Sequence, residues 1–348
     1  MRILTTLPQD DLNDVPAAAR AAEAVGYDGL VTMENRNEPF LALGVAAVST
    51  SRIGLATGIA IAFSRSPMAV ANASWDLQAA SRGRFVLGLG PQVRAHNEKR
   101  FSVPWSAPAP RMREYVEALR AIWRCWEKGE QLAYRGQHYT FTLMTPNFTP
   151  TSTGQPMVPV TLAAVGPAML RVAGEVGDGV RLHGFCTRRY LDEVVLREVR
   201  AGLARSGRSR EHFEVSGGGF IATGSDEASV AKMVEWVRYR VAFYGSTPAY
   251  WPVLDVHGLQ ELGRKLNAMA RAGQWDRMAA EISDDVVRLF AAVGTHRELA
   301  RAVAERFGGV VDTVALSGGY GVRQDIPPDL VQDIRRIPSV FAGHRTGW

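Results

Sequence analysis

The sequence predicts an α/β protein built as a (β/α)8 barrel, and three observations carry that prediction. Short β-rich runs alternate eight times with stretches of helical periodicity along 348 residues. The runs GLVTM, VLGLG and VPVTLAAV are apolar throughout, as parallel strands covered on their outer face require. The length suits a barrel with insertions, and eight strand–helix units favour closure over an open doubly wound sheet.

In chain order, strands are expected at residues 3–7, 28–33, 53–61, 85–90, 158–164, 178–183, 213–223 and 310–316. The first helix opens at Asp14, a favourable N-cap, carries Pro16 in its first turn and stops at Gly26. Later helices are expected at 40–50, 67–80, 111–126, 169–175, 190–206, 228–244 and 297–307, and one at 329–337 closes the ring. Two gaps exceed what a barrel needs. Residues 131–157, after the fourth helix, hold the hairpin-like QLAYRGQHYTFTLM and a Pro/Thr-rich loop. Residues 245–294, after the seventh strand, hold the helical LQELGRKLNAMARAG. Such insertions usually become lids or oligomer contacts, and the whole chain is expected to form one domain.

Composition narrows the function classes. Hydrophobic residues at 46% and charged residues at 22% are globular values. The formal charge of +5 is spread along the chain without a Lys/Arg run, so no nucleic-acid partner is expected. Cys125 and Cys186 are far apart and have no histidine cluster beside them, which argues against a metal site or disulfide framework. No apolar stretch is long enough for a signal peptide or a membrane span, so a cytoplasmic protein is expected.

In barrels of this kind the chemistry sits where the strands end and the opposite face serves stability. GYDG (26–29), SRGR (81–84) and GDG (177–179) precede strands, so they are read as turn and capping devices. The strand exits hold the candidates: Glu34 to Glu38 after strand two, and Gly58 to Arg65 through strand three. Gly90 to Glu98 follow strand four, Ala163 to Pro167 strand five, His183 strand six, and residues 317–321 (SGGYG) strand eight.

The run RIGLATGIAIAFSRSPMAVANASWDLQAASRGRFVLGLG resembles the signature stretch of luciferase-like flavin and deazaflavin oxidoreductases. VRAHNEKRFSVPWSAPAPRMREYVEALRAIW and PVTLAAVGPAMLRVAGEVGDGVRLHGF resemble a branch that depends on coenzyme F420. The match spans roughly residues 1–220. One departure is visible: relatives often carry His-Asp before the Pro-Phe after strand two, where this chain has Asn37-Glu38.

The resemblance implies a non-prolyl cis peptide at Gly58-Ile59, in a strand-three bulge that backs one face of the cofactor ring. The plainer alternative is that Gly58 makes space inside the barrel. Ser64 is counted with the cofactor-binding residues. Val165 and Gly166 are implied as backbone donors to a phosphate, with Pro167 in the first turn of the helix that follows. The SGGYG loop is a rival contact. Reduced substrate must take up a proton, and His96 and Glu98 lead as its source, followed by Glu34. Arg65, Arg94, Lys99 and Arg100 are weaker candidates for an anionic cofactor tail. Trp105, Tyr139 and Phe148 are candidates for a substrate pocket, whereas Trp123 and Trp126 share a helical face that suits core packing. The leading expectation is an F420-dependent oxidoreductase moving a hydride to or from a small carbonyl, alcohol or activated alkene. An FMN-dependent monooxygenase and a flavin-binding barrel without catalysis remain open. A homodimer is expected.

Overall fold

A computed structural model describes residues 1–316, 325–345 and 347. The SGGYG loop, at 317–321, therefore lies outside the described residues.

The first strands are β1 (Arg2–Thr6), β2 (Gly29–Thr32), β3 (Gly54–Thr57), β4 (Ala60–Ile61) and β5 (Phe85–Gly90). A small hairpin, β6 (Tyr134–Arg135) and β7 (Thr140–Phe141), precedes β8 (Val160–Ala164), β9 (Gly179–Leu182) and β10 (Glu214–Gly217). β11 (Phe220–Gly224), β12 (Ala291–Thr295) and β13 (Thr313–Ala315) follow. One parallel sheet runs in the order β3-β2-β1-β13-β10-β9-β8-β5-β4, and β3 also pairs with β5, which closes it. Because β3 and β4 are two halves of one strand, the closed sheet is an eight-stranded TIM barrel.

The helices between strands are α1 (Val15–Val25), α2 (Leu41–Ser49), α3 (Pro67–Ala80), α4 (Arg94–Lys99), α5 (Pro108–Lys128) and α6 (Pro167–Val176). α7 (Arg188–Tyr190) runs through one wide turn into α8 (Leu196–Ser206). α9 (Glu227–Gly245), α10 (Trp251–Asp255), α11 (Gln260–Arg271) and α12 (Asp284–Phe290) occupy the second long excursion, and α13 (Leu299–Phe307) and α14 (Pro328–Arg335) end the ring. α3 matches its expected span, and its N-terminal boundary is written locally: Ser66 Oγ accepts from the Met68 amide, and Pro67 stands in the first turn. Trp123 and Trp126 of α5 are buried in the core, as their spacing predicts.

Two expectations need correction. Asp14 does not cap α1: its backbone is already helical and its side chain makes no cap bond. The chain enters through an earlier turn, in which Asp11 Oδ1 accepts from the Asn13 amide at 2.8 Å. The seventh strand is not one run from 213 to 223. It breaks at Gly217 and Gly218, with φ of +85° and +92°, conformations that favour glycine. Beyond the break β11 leaves the barrel and pairs in parallel with β12, from Phe220 opposite Ala291 to Gly224 opposite Thr295. The second insertion holds the expected helical material and ends in a strand, β12.

The charged turns do their work below the barrel. Arg84 donates to the carbonyls of Ser81, Ile53, Ala47 and Thr50. Asp178 pairs with Arg120 and Arg208 and accepts from the Val160 amide. Inside the lower barrel, Glu214 accepts from Arg2 at 3.0 Å and from the Thr313 hydroxyl at 2.5 Å. Burial works to raise its pKa, but Arg2, His344 and Arg181 outweigh it and hold the carboxyl at about 2. Among the described residues no helix is long and apolar enough to cross a membrane.

Candidate active site

The bond between Gly58 and Ile59, where β3 gives way to β4, is a non-prolyl cis peptide. The residues around it form a stepped floor inside the barrel. A Cβ added to Gly90 would come within 2.7 Å of Ile59 and 3.3 Å of the Ala163 Cβ, so these three residues share one layer. Two residues earlier on β5, a Cβ on Gly88 would meet Arg181 Nε at 2.7 Å, and that nitrogen donates to Thr161 Oγ1 at 2.8 Å. The floor is thus Arg181 with Ile59 a layer above it, because strand side chains recur on one face every second residue. Gly58 also makes space, since a Cβ there would approach Val31 Cγ1 to 2.3 Å.

Glu34 anchors the break from the side. Its carboxylate accepts from the Ile61 amide at 2.6 Å and from Arg65 Nη1 at 2.7 and 2.8 Å, and its side chain is only 7% exposed. Ser64 Oγ donates to the Ile61 carbonyl at 3.1 Å. Glu38 Oε2 accepts from the Phe40 and Leu41 amides and so caps α2. With these contacts Glu34 and Arg65 lock the strand-two loop to the strand-three break.

His96 and Glu98 are exposed on α4, and Glu98 pairs with Arg94 at 3.0 Å. The position this short helix buries is Asn97, whose Nδ2 donates to the carbonyls of Pro91 and Val93. Buried Glu34 and its two exposed counterparts therefore do not form one enclosed cluster. Arg100 Nη2 donates to the Asn35 carbonyl at 2.6 Å, joining the strand-four and strand-two loops, and Lys99 is exposed. In the first insertion, Tyr139 packs edge-on against Tyr115 and takes a hydrogen bond from Arg111, while Phe148 is exposed and Trp105 half-buried.

At the start of α6, the Val165 carbonyl accepts from the Tyr190 hydroxyl at 2.9 Å. Gly166 is extended, and a Cβ there would meet nothing within 4 Å. The Leu170 amide closes the first helical bond onto Gly166. The amides of Ala168 and Met169 thus belong to the unpaired first turn, beside open space.

His183 stands two residues beyond Arg181, on the same face of the strand by alternation. Its Nδ1 accepts from the Phe185 amide at 2.9 Å, which leaves the ring proton on Nε2. Tyr244 packs edge-on against it at 4.1 Å, and Tyr250 lies 5.0 Å away. Burial, helped by Arg240, pushes the imidazole down to about 4, so the ring is neutral at pH 7. Burial likewise pushes the Tyr250 hydroxyl up to about 12. His183 was visible as a strand exit, but nothing in the sequence marked Tyr244 and Tyr250 as its companions.

Comparison with known proteins agrees with this fold. An uncharacterized protein of Mycobacterium tuberculosis is 48% identical over 319 residues, covering 92% of this chain and 94% of the relative. The structure of the coenzyme F420-dependent tetrahydromethanopterin reductase from Methanopyrus kandleri superposes with a TM-score of 0.78 at 21% identity, covering 97% of both chains. An F420-dependent secondary alcohol dehydrogenase, solved with an F420-acetone adduct, superposes at 0.71 with 18% identity, covering 96% of this chain and 99% of that one. The family model for luciferase-like monooxygenases matches residues 2–313, and the chain belongs to that family of oxidoreductases.

Proposed function

We propose that the protein is an F420-dependent oxidoreductase that transfers a hydride between the deazaflavin and a small carbonyl, alcohol or activated alkene. The observation that carries this reading is the apolar layer of Ile59, Gly90 and Ala163 where β3 gives way to β4. Two solved structures of the same fold are described as F420-dependent, which supports the cofactor choice.

The residues present fit such a group. Ile59 offers an apolar surface to back a flat ring, and the Glu34–Arg65 pair with Ser64 holds the backbone that carries it. Gly166 leaves open space at the start of α6, where Val165, Gly166 and the first-turn amides suit a phosphate. When bound, the deazaflavin supplies the carbon that gives or takes the hydride. The chain's part is to orient the substrate and manage its oxygen. His183, a fixed neutral N–H donor, and the Tyr250 hydroxyl would meet a substrate beside the rings of Tyr244 and Tyr250, which buried Phe185 backs. His96 and Glu98, exposed on α4, lead as the source of the proton that reduced substrate takes up.

The test is a titration of the purified protein with F420 and, separately, FMN, followed by tryptophan fluorescence. Tight F420 binding with FMN ignored is the expected result. The reverse preference would overturn the reading in favour of flavin-dependent oxygen chemistry.

A further inference from the structure

Arg240, on α9, carries a guanidinium that no carboxylate balances among the described residues. Its Nε is shut off from solvent without a hydrogen-bond partner. The group is held by ring faces, with Trp236 and Tyr244 centred 5.2 and 5.3 Å from its central carbon. Glu235 of this helix and nearby Asp284 both pair with Arg238 instead. A guanidinium stays charged at any working pH. Ring contacts offset part of its desolvation, but they satisfy none of its donors.

The same Tyr244 ring that holds Arg240 packs on His183 at 4.1 Å. Arg240 is also close enough to oppose protonation of that imidazole. A permanent cation and a fixed N–H donor thus flank one tyrosine at the C-terminal end of β9, where barrel strands present their chemistry. Two donors around an uncompensated charge suit an oxyanion.

We propose that Arg240 and His183 form an oxyanion subsite at the rim of the barrel, which holds a carboxylate or phosphate group of the substrate. The assignment to substrate rests on reading the barrel mouth as the substrate site; the anion binding itself does not need a cofactor. It narrows the substrate from any small carbonyl, alcohol or alkene to one bearing such a group.

Calorimetric titration of the full chain with inorganic phosphate, and separately with acetate, tests this directly. One of the two anions should bind saturably at one equivalent. Arg240→Met should weaken that binding by about tenfold or more, and Arg240→Lys should restore part of it. Because Arg240 packs on two rings of its surroundings, its loss could loosen α9. His183→Asn substitutes no residue of α9, although it trims a ring that packs on Tyr244; it should also weaken binding, and the anion should move the His183 ring nitrogen resonances in the wild type. No saturable binding of either anion, or full binding by a folded Arg240→Met protein, would overturn the subsite. The same variants are titrated with F420 and FMN. Unchanged cofactor affinity assigns the subsite to substrate, whereas a parallel loss would give it to the cofactor's anionic groups and overturn the substrate assignment. A wild type that binds the anion but neither cofactor would sink the cofactor reading and leave the subsite standing.

Discussion

Arg65 meets Glu34 with one nitrogen set between both carboxylate oxygens, at 2.7 and 2.8 Å, while the Ile61 amide reaches the same carboxylate at 2.6 Å. The pair therefore fastens the loop after β2 to the backbone just past the cis peptide. Glu34→Gln keeps the shape and removes the charge. It should destabilise the fold by about 2 kcal/mol, less than for a fully buried pair because Arg65 is partly exposed. Urea denaturation measures this, and a cofactor titration should show affinity falling alongside.

Gly90→Ala should push Ile59 out of its layer, because the added methyl would lie 2.7 Å from it. The overpacking should cost about 1–3 kcal/mol. Cofactor affinity should drop further than stability alone explains, and adding Ile59→Val should recover part of both. Thermal melts and titrations of the single and double variants check the coupling.

Gly166→Ala makes the opposite comparison. The backbone is extended and nothing lies within 4 Å, so stability should stay within about 0.5 kcal/mol of wild type. The methyl would enter the space assigned to a phosphate, so cofactor affinity should fall. Undiminished affinity would move the phosphate away from α6.

Acid should weaken the fold in two successive windows. His183, held at about 4 when folded, stays neutral while the unfolded chain protonates, so its contribution is present above pH 6.5 and lost as pH falls toward 4. Glu214, held at about 2, contributes above its ordinary 4.5 and is lost between there and 2. His183→Asn should flatten the first window without abolishing it, because burial also lowers His257 and His344. Glu214→Gln should flatten the second. Urea midpoints in buffers from pH 7 to 3 read both slopes.

Glu98→Gln breaks only an exposed pair with Arg94 and should change stability by less than about 1 kcal/mol. With cofactor affinity intact, turnover should fall about a hundredfold if Glu98 delivers the proton. A variant that turns over normally would hand that role to His96, tested by His96→Gln in the same assay.

The barrel was legible in the sequence because its signals are local and repeated. Apolar runs, helical periodicity and glycine turns each help say where a strand begins, and α3 was expected over the 67–80 that it occupies. Gly58-Ile59 was reached through resemblance, since no propensity announces a cis peptide. The misreading at residues 213–223 has a physical cause: a strand that leaves the barrel keeps the same β-rich composition, and only Gly217 and Gly218 mark the departure. The His183 surroundings were hidden because Tyr244, Tyr250 and Arg240 arrive from an excursion some sixty residues along the chain. Contacts made across such a separation leave no periodicity to read.

β11 and β12 lie side by side, so the chain that departs at Gly224 is brought back at Ala291 to a neighbouring strand. The residues in between that do not join the core, as Val237, Leu266 and Phe290 do, can vary without changing the strand pairing of the barrel. That interval supplies Arg240, Tyr244 and Tyr250, while the floor of Ile59, Gly90 and Ala163 belongs to the staves themselves. Descendants of such a chain can change what they accept while inheriting unaltered the platform on which it is handled.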